Sequence, residues 1–364
     1  MSRRDPSGQT VKGRSSGFNP KNRFLELYLE PVEDGPWYDE FENGTFSPLG
    51  RKVPTTFFID TSKTILAKND SPDIPFTYSL NPYRGCEHGC IYCYARPSHE
   101  YLGFSSGLDF ETKIMVKRDA PELLRETFMK KSWEPQVVSL SGNTDCYQPA
   151  ERKLKLTRRC LEVFLEFRNP VGIVTKNALV QRDIDILEEM AKLNIVSVLL
   201  SITTLDQELA RKMEPRTSPP FKRLETIELL ASHGIDVGVN ASPIIPGLND
   251  EEIPAILQAA KDHGAEFAST TIARFPYAVK ELFIDWLDRE FPLKKEKILS
   301  RVKMVHGGKM NSSEFGKRMS GKGEIAEVIH DLFKTNVRRL GLNRARYHLT
   351  VDHFRRNPRQ IEMF

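Results

Sequence analysis

The chain has 364 residues, 39% of them hydrophobic, with five cysteines and a formal net charge of +4. That is enough for one large α/β domain with appendages, and a charge of this size marks no strongly basic nucleic-acid-coating or acidic class. No stretch approaches the roughly 20 apolar residues of a membrane span, and an odd count of five cysteines argues against a secreted disulfide framework, so a cytoplasmic protein without membrane partners is expected.

In chain order, residues 1 to about 20 read as a basic, polar tail without the apolar core of a signal peptide. Residues 25–50 read as an irregular arm punctuated by Pro and Gly. The run VPTTFFID (53–60) reads as a strand, and FTYSL (76–80) as the first of a series. The series continues with QVVSLSG (136–142), VGIVTK (171–176), IVSVLLSIT (195–203), IDVGVNASPII (235–245) and EFASTTIA (266–273). Helical patterns fall between them near 150–167, 182–193, 207–213, 222–233, 251–263 and 278–290.

Apolar, β-branched runs alternating with helices predict βαβ units and a parallel sheet. Six units in about 215 residues fall short of a complete eight-unit barrel, so the expected architecture is a partial (β/α)6 barrel. Its boundaries are a tail and arm over 1–50, a core over 51–295 and a helical, basic extension over 296–364. That extension holds a helix over 325–340, then RRLGLNRARYHLTVDHFRRNPR with seven arginines against one aspartate. Such a stretch suits phosphate contacts, or else a cap over the barrel.

The chemistry concentrates in CEHGCIYCY, where Cys86, Cys90 and Cys93 are spaced C-x3-C-x2-C and Tyr92 and Tyr94 flank the last cysteine. Three thiolates are one short of a closed zinc site, which would need His88, His99 or a remote cysteine as its fourth ligand. The spacing suits a [4Fe–4S] cluster with one iron left open for a small ligand. Cys160 falls on one helical face with Leu156, Val163, Phe164 and Phe167 and reads as a core residue.

The spacing, the aromatic after the third cysteine and the six-unit pattern resemble the radical S-adenosylmethionine (SAM) enzymes. More narrowly, NDSPDIPFTYSLNPYRGCEHGCIYCYARPSHEYLG, LDFETKI and NTDCYQPAERKLKLTR resemble bacterial proteins related to spore photoproduct lyase. The resemblance implies a partial barrel, a cluster on the three cysteines, SAM bound through its amine and carboxylate to the open iron, and a 5′-deoxyadenosyl radical. It also implies a reductant such as flavodoxin or ferredoxin, and a nucleic-acid, peptide or small-molecule substrate. The alternative from another class is a non-catalytic zinc or cluster protein, and nothing in the pattern specifies an oligomeric state.

By the same resemblance, Thr144 and Asp145 contact the methionine end of SAM, and Lys176 and Arg216 face its carboxylate. Ser201 contacts SAM, Asn240 and Ser242 line the adenine or ribose pocket, Tyr94 packs near adenine, and Tyr92 covers the cluster or SAM. Asp145 reads equally as a helix N-cap. Spore photoproduct lyase places a hydrogen-donating cysteine three residues before the aspartate, a position held here by Gly142. Cys146, next to Asp145, is the remaining candidate donor.

Overall fold

The computed structural model describes residues 11–25, 53–344 and 348–358. Its main sheet contains β2 (Leu66–Lys68), β3 (Tyr78–Leu80), β6 (Val138–Leu140), β7 (Val171–Thr175), β8 (Val196–Ser201), β9 (Asp236–Ile244) and β10 (Phe267–Ile272). The strand order is β10-β9-β8-β7-β6-β3-β2, all parallel except β2, which pairs antiparallel with β3. The six expected strands are therefore the six parallel ones, neighbours in sequence and in space.

Helices α1 (Ala120–Met129), α2 (Leu156–Phe167), α3 (Ile184–Lys192), α4 (Gln207–Met213), α5 (Pro220–Ser232), α6 (Ile253–Asp262), α7 (Val279–Glu290), α8 (Lys295–Val305) and α9 (Glu324–Leu340) supply crossovers and flanks. β7 and most of β8 bury alternate residues, and Val171, Ile173, Val196, Val198, Val237 and Val239 pack in one core with Cys160, Phe164 and Phe167 of α2.

The sheet curls. Laid flat, six strands at roughly 4.8 Å spacing would put β3 and β10 about 24 Å apart. Yet Arg318, beside β10, grips Asp73, just before β3, at 2.6 and 2.8 Å. Tyr94 likewise bridges the two halves, its hydroxyl donating to Gly142 O after β6 at 2.8 Å while Arg274, after β10, lies 5.6 Å over its ring. The strands thus form an open, partial barrel, since β3 and β10 are not paired with each other.

Three local expectations change. The run at 53–60 does contain β1 (Thr56–Ile59), but β1 joins β5 (Lys113–Val116) and β4 (Tyr83–Arg84) in a separate small sheet. The helix expected over 150–167 breaks at Lys155, whose φ is +52°. There the Glu151 side chain turns inward to accept from Thr157 N at 3.1 Å, from Arg182 at 2.8 Å and from the Tyr83 hydroxyl.

Finally, residues 11–25, expected to belong mostly to a tail, pack into the fold. Ser15 and Ser16 are 3% and 1% exposed. Ser16 N donates to Glu111 at 3.1 Å, and Asn19 and Asp109 exchange hydrogen bonds of 2.9 and 3.0 Å. Gly107 lets this strap pass, because a Cβ there would meet Phe18 O at 2.2 Å. Most of the arm, residues 26–52, lies outside the described residues.

The basic C-terminal stretch resolves toward a cap. Over 348–358 it crosses the end of the barrel where the strands begin: Thr350 N donates to Asn194 O, ahead of β8, at 3.0 Å. Arg355 donates to Glu166 O at 2.8 Å and Arg356 to Trp133 O at 2.9 Å, carbonyls ahead of β7 and β6. These guanidiniums satisfy orphan carbonyls of helix and loop ends, at the end of the barrel opposite the cysteines. Among the described residues no helix is long and apolar enough to cross a membrane.

Candidate active site at the strand C-terminal ends

The three motif cysteines, Tyr92 and Tyr94 lie in the cysteine loop, Thr144, Asp145 and Lys176 just after strands, Ser201 at the end of β8, Asn240 and Ser242 within β9, and Arg216 in the turn after α4. The cysteine loop follows β3 and β4. It is anchored by Cys86 N to Phe110 O at 2.9 Å and by Ile91 N to Met213 O at 3.0 Å. Gly89 turns it with φ +65°, where a Cβ would stand 2.6 Å from Glu111.

Arg96, which the motif reading passed over, holds the loop from behind. It is fully buried and donates to Cys90 O and Gly89 O at 3.0 Å, to Gly107 O at 3.0 Å and to Glu111 at 2.6 Å. A buried guanidinium is tolerable only when its fork is filled this way.

Cys86 and Cys90 are buried, Cys93 is half-buried, and all three are free thiols. Burial pushes all three above the ordinary thiol range, and each of Cys86 and Cys90 also feels Cys93. Thiolates here require a cationic body to hold them. Among the described residues no three His, Cys, Asp or Glu side chains converge to hold a single metal ion.

The two histidines of the zinc alternative differ in their surroundings. His88 has both ring nitrogens engaged, Nδ1 at 3.3 Å from Asp145 and Nε2 at 3.1 Å from the Asn177 amide. His99 lies between the rings of Phe104 and Phe110, with neither ring nitrogen hydrogen-bonded. Among the described residues no group of three such donors converges on one metal ion, and three separate thiols on one loop suit a cluster with an open corner.

The polar residues at the strand ends form two networks. In the first, Asp145 accepts from Thr175 Oγ1, Tyr147 N and Lys176 N, all at 2.8 Å, and faces His88. Burial works against this carboxylate, but His88 and the two backbone donors hold it below its usual range. Asp145 thus closes its own turn by accepting from Tyr147 N and ties β6 to β7, while the helix after Pro149 has Ala150, not Asp145, at its N-cap. Thr144 donates to Tyr83 O at 2.9 Å, which fastens the cysteine loop.

The second network centres on Glu214, which the sequence reading missed. Glu214 is 2% exposed. It accepts from Arg223 at 2.5 Å, from Thr203 at 2.6 Å and from the Tyr92 hydroxyl, and lies 3.4 Å from Lys176 Nζ. Burial opposes its charge, yet Arg223 and Lys176 hold it well below the usual carboxylate range. Lys176 also donates to Ser242 O at 3.3 Å and sits 5.7 Å from the Tyr92 ring centre.

Arg216, expected at the SAM carboxylate, instead pairs with Glu87 of the cysteine loop at 3.2 Å. Within MEPRTSPP it is the glutamate that reaches inward. The only available signal was that segment's position after β8.

Ser201, Asn240 and Ser269 form a polar row across β8, β9 and β10, in register, with Ser269 donating to Asn240 at 2.9 Å and the Asn240 amide 3.5 Å from Ser201. The Ser242 hydroxyl accepts from Thr271 N at 2.7 Å. Tyr94 stands half exposed above.

Cys146 is a correction. It has no exposure and belongs to the main core with Cys160 and Tyr147, not to the cluster of Cys90 and Tyr92. Because Asp145 turns toward the strand ends, its neighbour is carried to the other side. Nor does Gly142 leave room for a thiol, since a Cβ there would stand 2.8 Å from Ser79 Cβ.

A sequence model of the radical SAM superfamily matches residues 80–260, the interval running from the end of β3 through β9. The chain belongs to that superfamily. An uncharacterised protein of Mycobacterium tuberculosis is 36% identical over 221 residues, 60% of this chain and 65% of that protein. One of Methanocaldococcus jannaschii is 31% identical over 175 residues, 48% of this chain and 63% of that protein. The chain thus matches a little under two thirds of each relative's length. Spore photoproduct lyase shares the fold, with a TM-score of 0.58 at 17% identity over 79% of this chain and 81% of that one. Its complex with dinucleoside spore photoproduct superimposes with a TM-score of 0.56 at 17% identity.

Proposed function

We propose that this protein is a radical SAM enzyme that carries a [4Fe–4S] cluster on Cys86, Cys90 and Cys93 and acts on a nucleic acid. The observation that carries the reading is the loop of three free thiols, C-x3-C-x2-C, seated where six parallel strands end. Cluster and SAM together supply reductive cleavage of a carbon–sulfur bond and a carbon-centred radical.

The chain's own groups do the rest. Arg96 and the 11–25 strap hold the loop rigid. Glu214 fixes the Tyr92 hydroxyl and holds Lys176 at the barrel mouth, facing an anionic cofactor group. Ser201 and Asn240, with Ser242 further along β9, offer hydrogen-bonding groups for the adenosine end. The curled sheet keeps bulk water from the reacting centre.

The nucleic-acid part of the reading is supported by the fold shared with spore photoproduct lyase. Reversal of a thymine photoproduct by a cysteine hydrogen donor is not part of it, because Gly142 has no room for a thiol and Cys146 lies in the core.

The test is anaerobic reconstitution with iron and sulfide. About four irons and four sulfides per chain are expected, with a brown chromophore lost in Cys86→Ala and SAM cleaved to 5′-deoxyadenosine on reduction. One zinc and no sulfide would overturn the reading.

A further inference from the structure

Arg274 stands apart from the other site arginines. Arg96 and Arg223 have their forks filled by carbonyls and carboxylates. Among the described residues Arg274 makes no hydrogen bond or ion pair, and its guanidinium lies over the ring of Tyr94. It follows β10 directly, at the barrel mouth, and is half-buried. Burial and the nearby Arg318 work against its charge and together outweigh the favourable fields of Tyr94 and Asp73.

Its surroundings point the same way. The segment after α8 is bonded to the chain on either side of Arg274: Phe275 N donates to Met310 O at 3.0 Å, and Ile272 N to Met319 O at 2.8 Å. Between these anchors it arches past Ala273 and Arg274. Over 306–323 it carries Lys309, Lys317, Arg318 and Lys322 against the single Glu314. Glu314 is taken by Lys317 and Lys322, and Arg318 by Asp73. Exposed Lys309, next to Met310, has no ion pair among the described residues.

Two buried acceptors nearby also lack donors. His306 is 5% exposed and donates through Nε2 to Ala273 O at 2.8 Å, leaving Nδ1 bare, and Asn311 Oδ1 is likewise unpartnered. Native folds seldom leave such atoms without a role.

We propose that Arg274 and Lys309 anchor a backbone phosphate of a single-stranded nucleic acid, with Tyr94 stacking an adjoining base. A vacant guanidinium fork matches a phosphate, and an exposed aromatic beside it is the usual platform for an unstacked base. This deepens the nucleic-acid reading above and rests on it, but binding requires no radical chemistry. It also places the nucleic-acid footprint at the mouth, away from the arginines of the C-terminal cap.

The test is fluorescence anisotropy of the reconstituted full chain with a labelled single-stranded DNA over a range of salt. Arg274→Gln should weaken binding several-fold for every sequence and make the slope of log K against log salt shallower by about 0.7, the value for one phosphate contact on a single strand. Lys309→Gln, at an exposed position that does not threaten the fold, should also make the slope shallower. Arg355→Gln in the cap should leave it as in the parent.

An unchanged slope in Lys309→Gln and in a folded Arg274→Gln would overturn the proposal. So would competition by an oligoglutamate peptide as effective as that by unlabelled DNA, which would assign the site to acidic peptides. Iron, sulfide and SAM cleavage are measured on the same samples. Arg274-dependent DNA binding without them would sink the radical reading and spare this one.

Discussion

Glu214 shows how much one side chain does at this site. It joins α4 to α5 through Arg223, to the cysteine loop through Tyr92 and to β7 through Lys176. Replacing it with glutamine leaves two buried cations facing a neutral amide, a change that costs about 3–5 kcal/mol when a buried pair is broken. Glu214→Gln should therefore lower the midpoint of chemical denaturation markedly, while Arg159→Gln, at the exposed pair with Glu122, should barely move it.

The sign with pH follows from the depressed Glu214 pKa. Its contribution is complete above the ordinary carboxylate pKa of about 4.3 and is lost as pH falls below that toward the folded-state value. Denaturation midpoints of the parent should thus fall on acidification more steeply than those of Glu214→Gln.

At the scale of elements, the 11–25 strap is the least conspicuous part of the site's support. Its backbone and side chains reach Glu111, Gly89, Glu100 and Asp109, all within or just behind the cysteine loop. Arg289 of α7 closes over it by donating to Ser15 O at 3.0 Å. Removing residues 1–25 should expose the buried Arg96–Glu111 pair and loosen the loop. The expected readout is a chain that still melts cooperatively but binds substoichiometric iron and loses its chromophore faster in air. Full iron loading with unchanged air stability would show that the strap is dispensable.

At the scale of the whole molecule, the open barrel is latched across its gap by Arg318 and Asp73, with Ser71 and Gly316 in the same contact. This latch joins the segment that flanks Arg274 to the loop before β3, so it sets the width of the opening beside Tyr94. Asp73→Asn should raise hydrogen exchange at residues 311–321 while leaving β7 and β8 unchanged. Raised salt should act on the parent in the same direction.

Much of this was legible in the residue string for physical reasons. The six parallel strands are short, β-branched and buried on one face by the helices, so their period and spacing announce them. The cysteine loop is a contiguous motif, and contiguity is what one-dimensional reading detects. The break at Lys155 was not legible, because it depends on Glu151 meeting Tyr83 and Arg182 across the fold. Arg216 and Glu214 stand two residues apart, and only the turn after α4 decides which of them points inward.

The amino-acid sequence alone therefore determined the class of fold, the order of its strands and the three thiols at the end of the first unit. All of these depend on local period and spacing. Only tertiary packing decided that Cys146 faces the core, that the early serines brace the loop, that the terminal arginines cap the far end and that Arg274 is left unpaired at the mouth. Those outcomes depend on which buried charges find partners across long separations in the chain, and a partner in space leaves no period in the sequence.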